Sequence, residues 1–259
     1  MKTKTKKEGM YLYCIADSNE KVNLGEIGIE NSEVYTLPYQ EISAVVHNCG
    51  SRPYESEDKD MVKNWVMTHQ KVVDSAWQRF GAVLPLAFDT IIIGEEDTNP
   101  DENMKKWLQK DYEKLKEKLN KVKGKAEYGI QILWDPKVMV EKIALDTPEI
   151  KNLKEELKSK SPGTAYLYEE KIKNLLRKEM EKKADEYFKD FYSRIKKETF
   201  DVHIDKTKKV DEELQMLMNL SCLVIKENVE KLGEVLEKIK KETDFVIRFT
   251  GPWPPYSFA

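Results

Sequence analysis

Apolar positions recur along this chain at two periods, and the places where one period gives way to the other outline its strands and helices. From Met10, the run Tyr11, Leu12, Tyr13, Cys14, Ile15 is aromatic and β-branched and stops at the polar cluster Asp17, Ser18, Asn19, which predicts a first strand. Strands are also expected around Val34, Tyr35 and Leu37 and from Ile42 to Val46, as a hairpin or a closely spaced pair with Pro38, a poor ladder donor, at their junction. Between about residues 57 and 80 the stripe Val62, Trp65, Val66, His69, Val72, Val73, Ala76, Trp77, Phe80 steps by threes and fours, the signature of an amphipathic helix. Val83 to Phe88 reads as a short strand that Pro85 confines to an edge or bulge. From about Asp101 a second helical stripe carries Met104, Trp107, Leu108, Tyr112, Leu115, Leu119 and Val122.

Past Gly124 the period changes to two, with Ala126, Tyr128, Ile130, Ile132 and Trp134 alternating, so a strand with one buried face is expected. Helices follow at roughly 137–145 and 148–159, the second opening on Thr147 and Pro148, and a long helix runs from the break at Ser161 to Thr164 as far as about residue 198. A half-exposed strand at Phe200, Val202 and Ile204, an apolar strand from Leu214 to Ile225, a helix through Val229 to Ile239 and a strand at Phe245, Ile247 and Phe249 complete the pattern. The fold class is α+β, in two domains: a disordered tail at 1–9, a modified ferredoxin-like domain at 10–124, and a ferredoxin-like domain with an enlarged helical insertion at 125–259.

Composition narrows the function classes. Lys plus Arg number 44 against 47 Asp plus Glu, a net charge of −3 that provides no attraction toward polyanions, so a nucleic-acid module is disfavoured. No stretch approaches the roughly 20 apolar residues that span a bilayer, and the opening MKTKTKKEG lacks the apolar core of a secretory signal, so a cytoplasmic protein with no lipid-membrane partner is expected. Cys14, Cys49 and Cys222 are widely spaced among apolar or small residues and read as reduced core thiols.

Chemistry finds little purchase. Of three histidines only His47 lies near a cysteine, and a lone His-x-Cys is too few ligands for zinc, so no metal site is assigned. His69 falls on an apolar helical stripe and reads as a core or boundary histidine. No phosphate-cradling Gly-rich loop and no nucleophile elbow occurs, which leaves no catalytic residue and no cofactor to nominate. The segment that resists a plain structural account is the terminal Phe249-Thr250-Gly251-Pro252-Trp253-Pro254-Pro255-Tyr256-Ser257-Phe258. Its three prolines stiffen an extended path, and the aromatics between them either pack on their own domain or present a preordered contact surface. Phe249, Trp253, Pro254, Tyr256 and Phe258 are therefore the candidate partner-binding residues.

Several segments together resemble the gas vesicle GvpL/GvpF family: Tyr11-Leu12-Tyr13, His69-Gln70, Val83 to Phe88, Glu127-Tyr128-Gly129 through Trp134-Asp135, Ser161 to Leu167, and above all the closing run from Phe249 to Phe258. Ala87 and Cys14 stand where the family more often has arginine and glycine, so no role for charge at 87 carries over. The resemblance implies a minor structural or accessory protein of gas vesicle assembly, without catalysis, located in the cytoplasm with the vesicles. It further implies association with the hydrophobic shell protein GvpA and other accessory Gvp proteins, limiting GvpA aggregation during nucleation. The alternative from another class is a small-ligand-binding regulatory protein built on ferredoxin-like domains.

Overall fold

The computed structural model describes residues 8–94, 98–209, 212–243 and 245–259. These fall into two compact units, one formed by residues up to Glu127 together with Pro252–Ala259, the other by Tyr128–Gly251. The sequence boundary at Gly124 assigns 252–259 to the second domain; by packing, that segment sits in the first unit.

In the first unit the elements are β1 (Glu8–Ala16), β2 (Asn23–Gly25), β3 (Val34–Tyr39), β4 (Ile42–Gly50), α1 (Lys59–Phe80), β5 (Val83–Pro85), β6 (Ile91–Ile93) and α2 (Pro100–Val122). The sheet runs β2-β3-β4-β1-β5, with β6 also on β1. Of the expected disordered tail, residues 1–7 lie outside the described residues, whereas Glu8 and Gly9 open β1, opposite Gly50 and Cys49. A neighbouring backbone supplies the order that their side chains cannot, and only glycine fits at position 9, where a Cβ would stand 2.7 Å from the Gly50 carbonyl oxygen. Pro38, expected between strands, lies inside β3 opposite Ser43. The β2 ladder reaches only Val34 and Tyr35, so the missing N–H costs no strand pairing.

Both long helices end where their sequences say they should. The Asp58 carboxylate accepts the N–H groups of Asp60 and Met61 to start α1, and Gly81 closes it in the left-handed region at φ 76°. Asn99 caps α2, with Pro100 in the first turn. The α1 stripe buries Trp65, His69, Val72, Val73 and Ala76; each large apolar member contributes about 1.5–3 kcal/mol on burial. In β1 the register slips between Leu12 and Cys14, so the strand carries one residue more than β4 at Tyr13. Tyr11, Tyr13, Cys14 and Ala16 join one core cluster with α1 residues.

The second unit contains most of β7 (Lys125–Trp134), α3 (Pro136–Asp146), α4 (Pro148–Leu157), α5 (Pro162–Lys197), β8 (Asp201–Ile204), β9 (Gln215–Ile225), α6 (Val229–Thr243) and β10 (Val246–Trp253) as far as Gly251. Its sheet runs β10-β7-β9-β8, with β8 and β9 antiparallel. Phe245 anchors it: the ring is buried against Trp134, Tyr187 and Phe191 at centroid distances of 5.8, 5.1 and 6.0 Å. The apolar stripe of α5 is less covered than its period predicts. Ile172, Phe191 and Ile195 are buried, Leu175, Leu176, Met180 and Ala184 are half-covered, and Tyr166 and Leu167 are exposed. Among the described residues the architecture is mixed α and β, with antiparallel sheets and six α-helices.

Candidate functional site

Among the described residues no group of three or more His, Cys, Asp or Glu side chains is placed to hold a metal ion. No described helix is long and apolar enough to cross a membrane. Three features remain that combine exposed apolar surface or buried polar chemistry.

The first is the C-terminal segment. Phe249, on β10 in the second unit, is half-exposed and stacks on Tyr128 with centroids 5.2 Å apart and planes 15° from parallel. The Thr250 side chain fills the space over Gly129, where a Cβ would meet its Oγ1 at 2.7 Å. Past Gly251, at φ 122°, the chain becomes part of the first unit. There Pro254 and Pro255 are buried, and Ser257 clamps the buried Glu127 carboxylate twice: its N–H donates to Oε2 and its hydroxyl to Oε1, both at 2.7 Å. The Lys121 ammonium lies over the Phe258 ring at 5.8 Å from its centroid. Burial, reinforced by the negative charge of Asp74, pushes the Tyr256 phenol upward. What this strap leaves in solvent is Trp253, 50% exposed, and Tyr256, 40% exposed.

Of the five residues expected from sequence, Trp253 and Tyr256 thus present aromatic surface on a pinned backbone, Phe258 is half-covered, Pro254 is an anchor and Phe249 belongs to the other unit. Glu127 was not legible beforehand. It sits between Ala126 and Tyr128 as one more acid in a strand, and its partner lies 130 residues away.

A second feature is the core network around Tyr11 and Tyr13. The Tyr13 hydroxyl accepts the Ile29 N–H at 3.0 Å and so donates its own proton to His47 Nδ1 at 2.9 Å; His47 Nε2–H then donates to Tyr54 at 3.0 Å. In parallel the Tyr11 hydroxyl accepts the Asp89 N–H at 2.9 Å and donates to His69 Nδ1 at 2.9 Å. These partners fix both imidazoles as neutral Nε2–H tautomers. Burial lowers His47 to about 4 and His69 to about 4, the Leu86 backbone opposing weakly at the latter. His69 Nε2 faces the Leu86 backbone without a well-formed hydrogen bond. The rings interlock, Tyr11 stacking on His47 at 5.0 Å and meeting His69 edge-on at 5.8 Å. Its hydrogen bonds and ring contacts tie β1 to β4 and α1.

The third feature is a cleft of about 670 Å³ within the second unit, between α5 and the layer of α3, α4 and the start of β9. Trp134 forms part of its floor, with its indole N–H directed to Gln215 Oε1 at 3.3 Å.

A model of the family described as gas vesicle synthesis protein GvpL/GvpF matches residues 9–259. Gas vesicle protein L1 of Halobacterium salinarum is 32% identical over 266 aligned residues, which cover 99% of this chain and 92% of that protein. Gas vesicle protein L of Haloferax mediterranei is 28% identical, with 92% of this chain and 74% of that one covered. The fold is that of the crystal structure of the gas vesicle protein GvpF from an Anabaena species, with a TM-score of 0.79 at 21% identity over 97% of this chain and 98% of that one.

Proposed function

We propose that this chain, which belongs to the GvpL/GvpF family of gas vesicle synthesis proteins, serves gas vesicle assembly as a non-catalytic accessory protein that binds the shell protein GvpA and limits its aggregation. A small, very hydrophobic shell subunit must expose apolar helices and strand edges before it polymerises, and such surfaces associate indiscriminately in water. An accessory protein suits that task if it offers apolar surface held rigidly, so that little ordering entropy is lost on contact.

The observation that carries the reading is the strap. Trp253 and Tyr256 are half in solvent while buried prolines and the Ser257 to Glu127 clamp hold their backbone in place. The sheet of the second unit supports it separately. Among the described residues β10 pairs on one side only, with β7, and Arg248 is the one charge in its eight residues, so its outer edge suits strand addition. Counted within that unit the strand order is 4-1-3-2 in a βαββαβ succession, which supports a modified ferredoxin-like sheet there; the same description is proposed for the first unit.

With Trp253 as a hot spot, Trp253→Ala costs about 2 kcal/mol, roughly 30-fold in affinity for GvpA. Full affinity in a folded protein with both Trp253 and Tyr256 replaced by alanine would overturn the reading. The runner-up, a small-ligand-binding regulatory protein, draws on the cleft of the second unit, and a ligand-dependent rise in Tm is its signature.

A further inference from the structure

The cleft of the second unit is apolar along its length and charged along its rim, and the charges are ordered. Its apolar surface comes from Trp134, Val140, Leu157, Ile172, Leu176 and Met180. The last three are spaced by four residues on α5, so they form one straight ridge rather than a closed pocket. Along the same helix the rim reads Glu169, Lys173, Arg177, Glu181, and Lys154 of α4 lines the cleft as well. The positions between Glu169 and Glu181 span about 18 Å at the α-helical rise. Cations therefore occupy the middle of the groove and anions its two ends.

Within the chain these charges are loosely engaged. Arg177 and Glu181 are 3.9 Å apart with both side chains about three-quarters exposed, and Lys173 meets Glu170 at 3.6 Å with its own side chain 77% exposed. Such pairs contribute little and are readily exchanged for others.

We propose that this cleft is a docking groove for an amphipathic α-helix of a partner protein, one whose apolar stripe is flanked by acidic residues in its middle and basic residues at its ends. A ridge of just over two turns with flexible Met180 in it accepts side chains at i, i+3/i+4 and i+7, the spacing of a helix laid along a groove. The rim of α5 fixes which helix: central carboxylates meet Lys173 and Arg177, and terminal amines meet Glu169 and Glu181. A small compact ligand would leave the ends of such a ridge uncovered. The proposal goes beyond the strap and the β10 edge, and its failure leaves both untouched.

The test is fluorescence anisotropy with the full chain and labelled synthetic helices of about 16 residues, enough for the ridge at the helical rise. One carries leucines at helical spacing with central glutamates and terminal lysines; a second reverses every charge; a third replaces the leucines by serine. The matched helix binds about tenfold more tightly than the reversed one, the sum expected from several exposed pairs changing sign. The serine helix does not bind. Lys173→Glu with Arg177→Glu, both surface changes, abolishes the preference, because centre and ends of the groove then favour opposite helices, while Trp253→Ala leaves it unchanged. Equal binding of matched and reversed helices, no binding of the matched one, or its loss in Trp253→Ala overturns the proposal. So does sedimentation showing a dimer of this chain that Leu176→Glu dissolves, since a second copy would then occupy the groove.

Discussion

Acid acts on the first unit through His47 and His69, which are 0% and 3% exposed and sit in one aromatic cluster with Tyr11, Tyr13 and Tyr54. Each takes a phenolic hydrogen bond on Nδ1, so protonation there sets donor against donor. Burial lowers both imidazoles from 6.5 to about 4. The folded values lie below the unfolded ones, so the unfolded chain binds more protons between pH 6.5 and 4; stability is complete above that window and falls as pH drops through it. At pH 5 a displacement of this size costs about 2 kcal/mol per histidine, and both together remove about 4 kcal/mol. That is a large part of the 5–15 kcal/mol that holds a domain folded. Urea unfolding followed by far-UV circular dichroism, repeated between pH 7 and pH 5, should show the midpoint falling through this range. In the His47→Gln, His69→Gln variant the midpoint starts lower, because buried partners are disturbed, and then stays level. A wild-type midpoint unchanged down to pH 5, or the full slope retained in the double variant, refutes the reasoning.

Asp17 titrates elsewhere. Burial raises its carboxyl, but hydrogen bonds from Lys116 and Lys123, at 2.8 and 2.6 Å, together with their charges hold it below its ordinary value. Its contribution is present above the unfolded carboxyl value and lost below it, so Asp17→Asn should flatten the acid limb under about pH 4 and leave the histidine window intact in the same urea series. Glu127→Ala strands both donors of Ser257; amide exchange in residues 252–259 should then rise at least about tenfold, as expected for losing a charged hydrogen bond, with exchange elsewhere unchanged. Gly129→Ala forces its Cβ against the Thr250 Oγ1 and should cost about 1–2 kcal/mol, recovered in part by Thr250→Ala, as a double-mutant cycle in thermal unfolding would show.

Long periodic elements were legible in sequence because one physical cause set both the pattern and the structure. The stripe of α1 with Asp58 and Gly81 at its ends, and the alternation of β7, are of this kind. Three-residue strands carry no period, so β2 and β6 were not foreseen; they exist because β3 and β1 offer backbone partners. The α5 stripe announced a helix but not its coverage, which depends on how far α3 and α4 reach across it. At the candidate site the aromatics were visible as composition, and their exposure was not. Pro254 is buried and Trp253 exposed because the chain folds back onto Glu127, a contact that no local pattern records.

The most direct test of the accessory role is co-expression of this chain with GvpA, followed by pull-down and by measuring how much GvpA stays in the soluble fraction. GvpA should co-purify and its soluble yield should rise with the wild-type chain, and both effects should fall sharply with Trp253→Ala and Tyr256→Ala. A folded chain that neither retains GvpA nor changes its solubility would contradict that role.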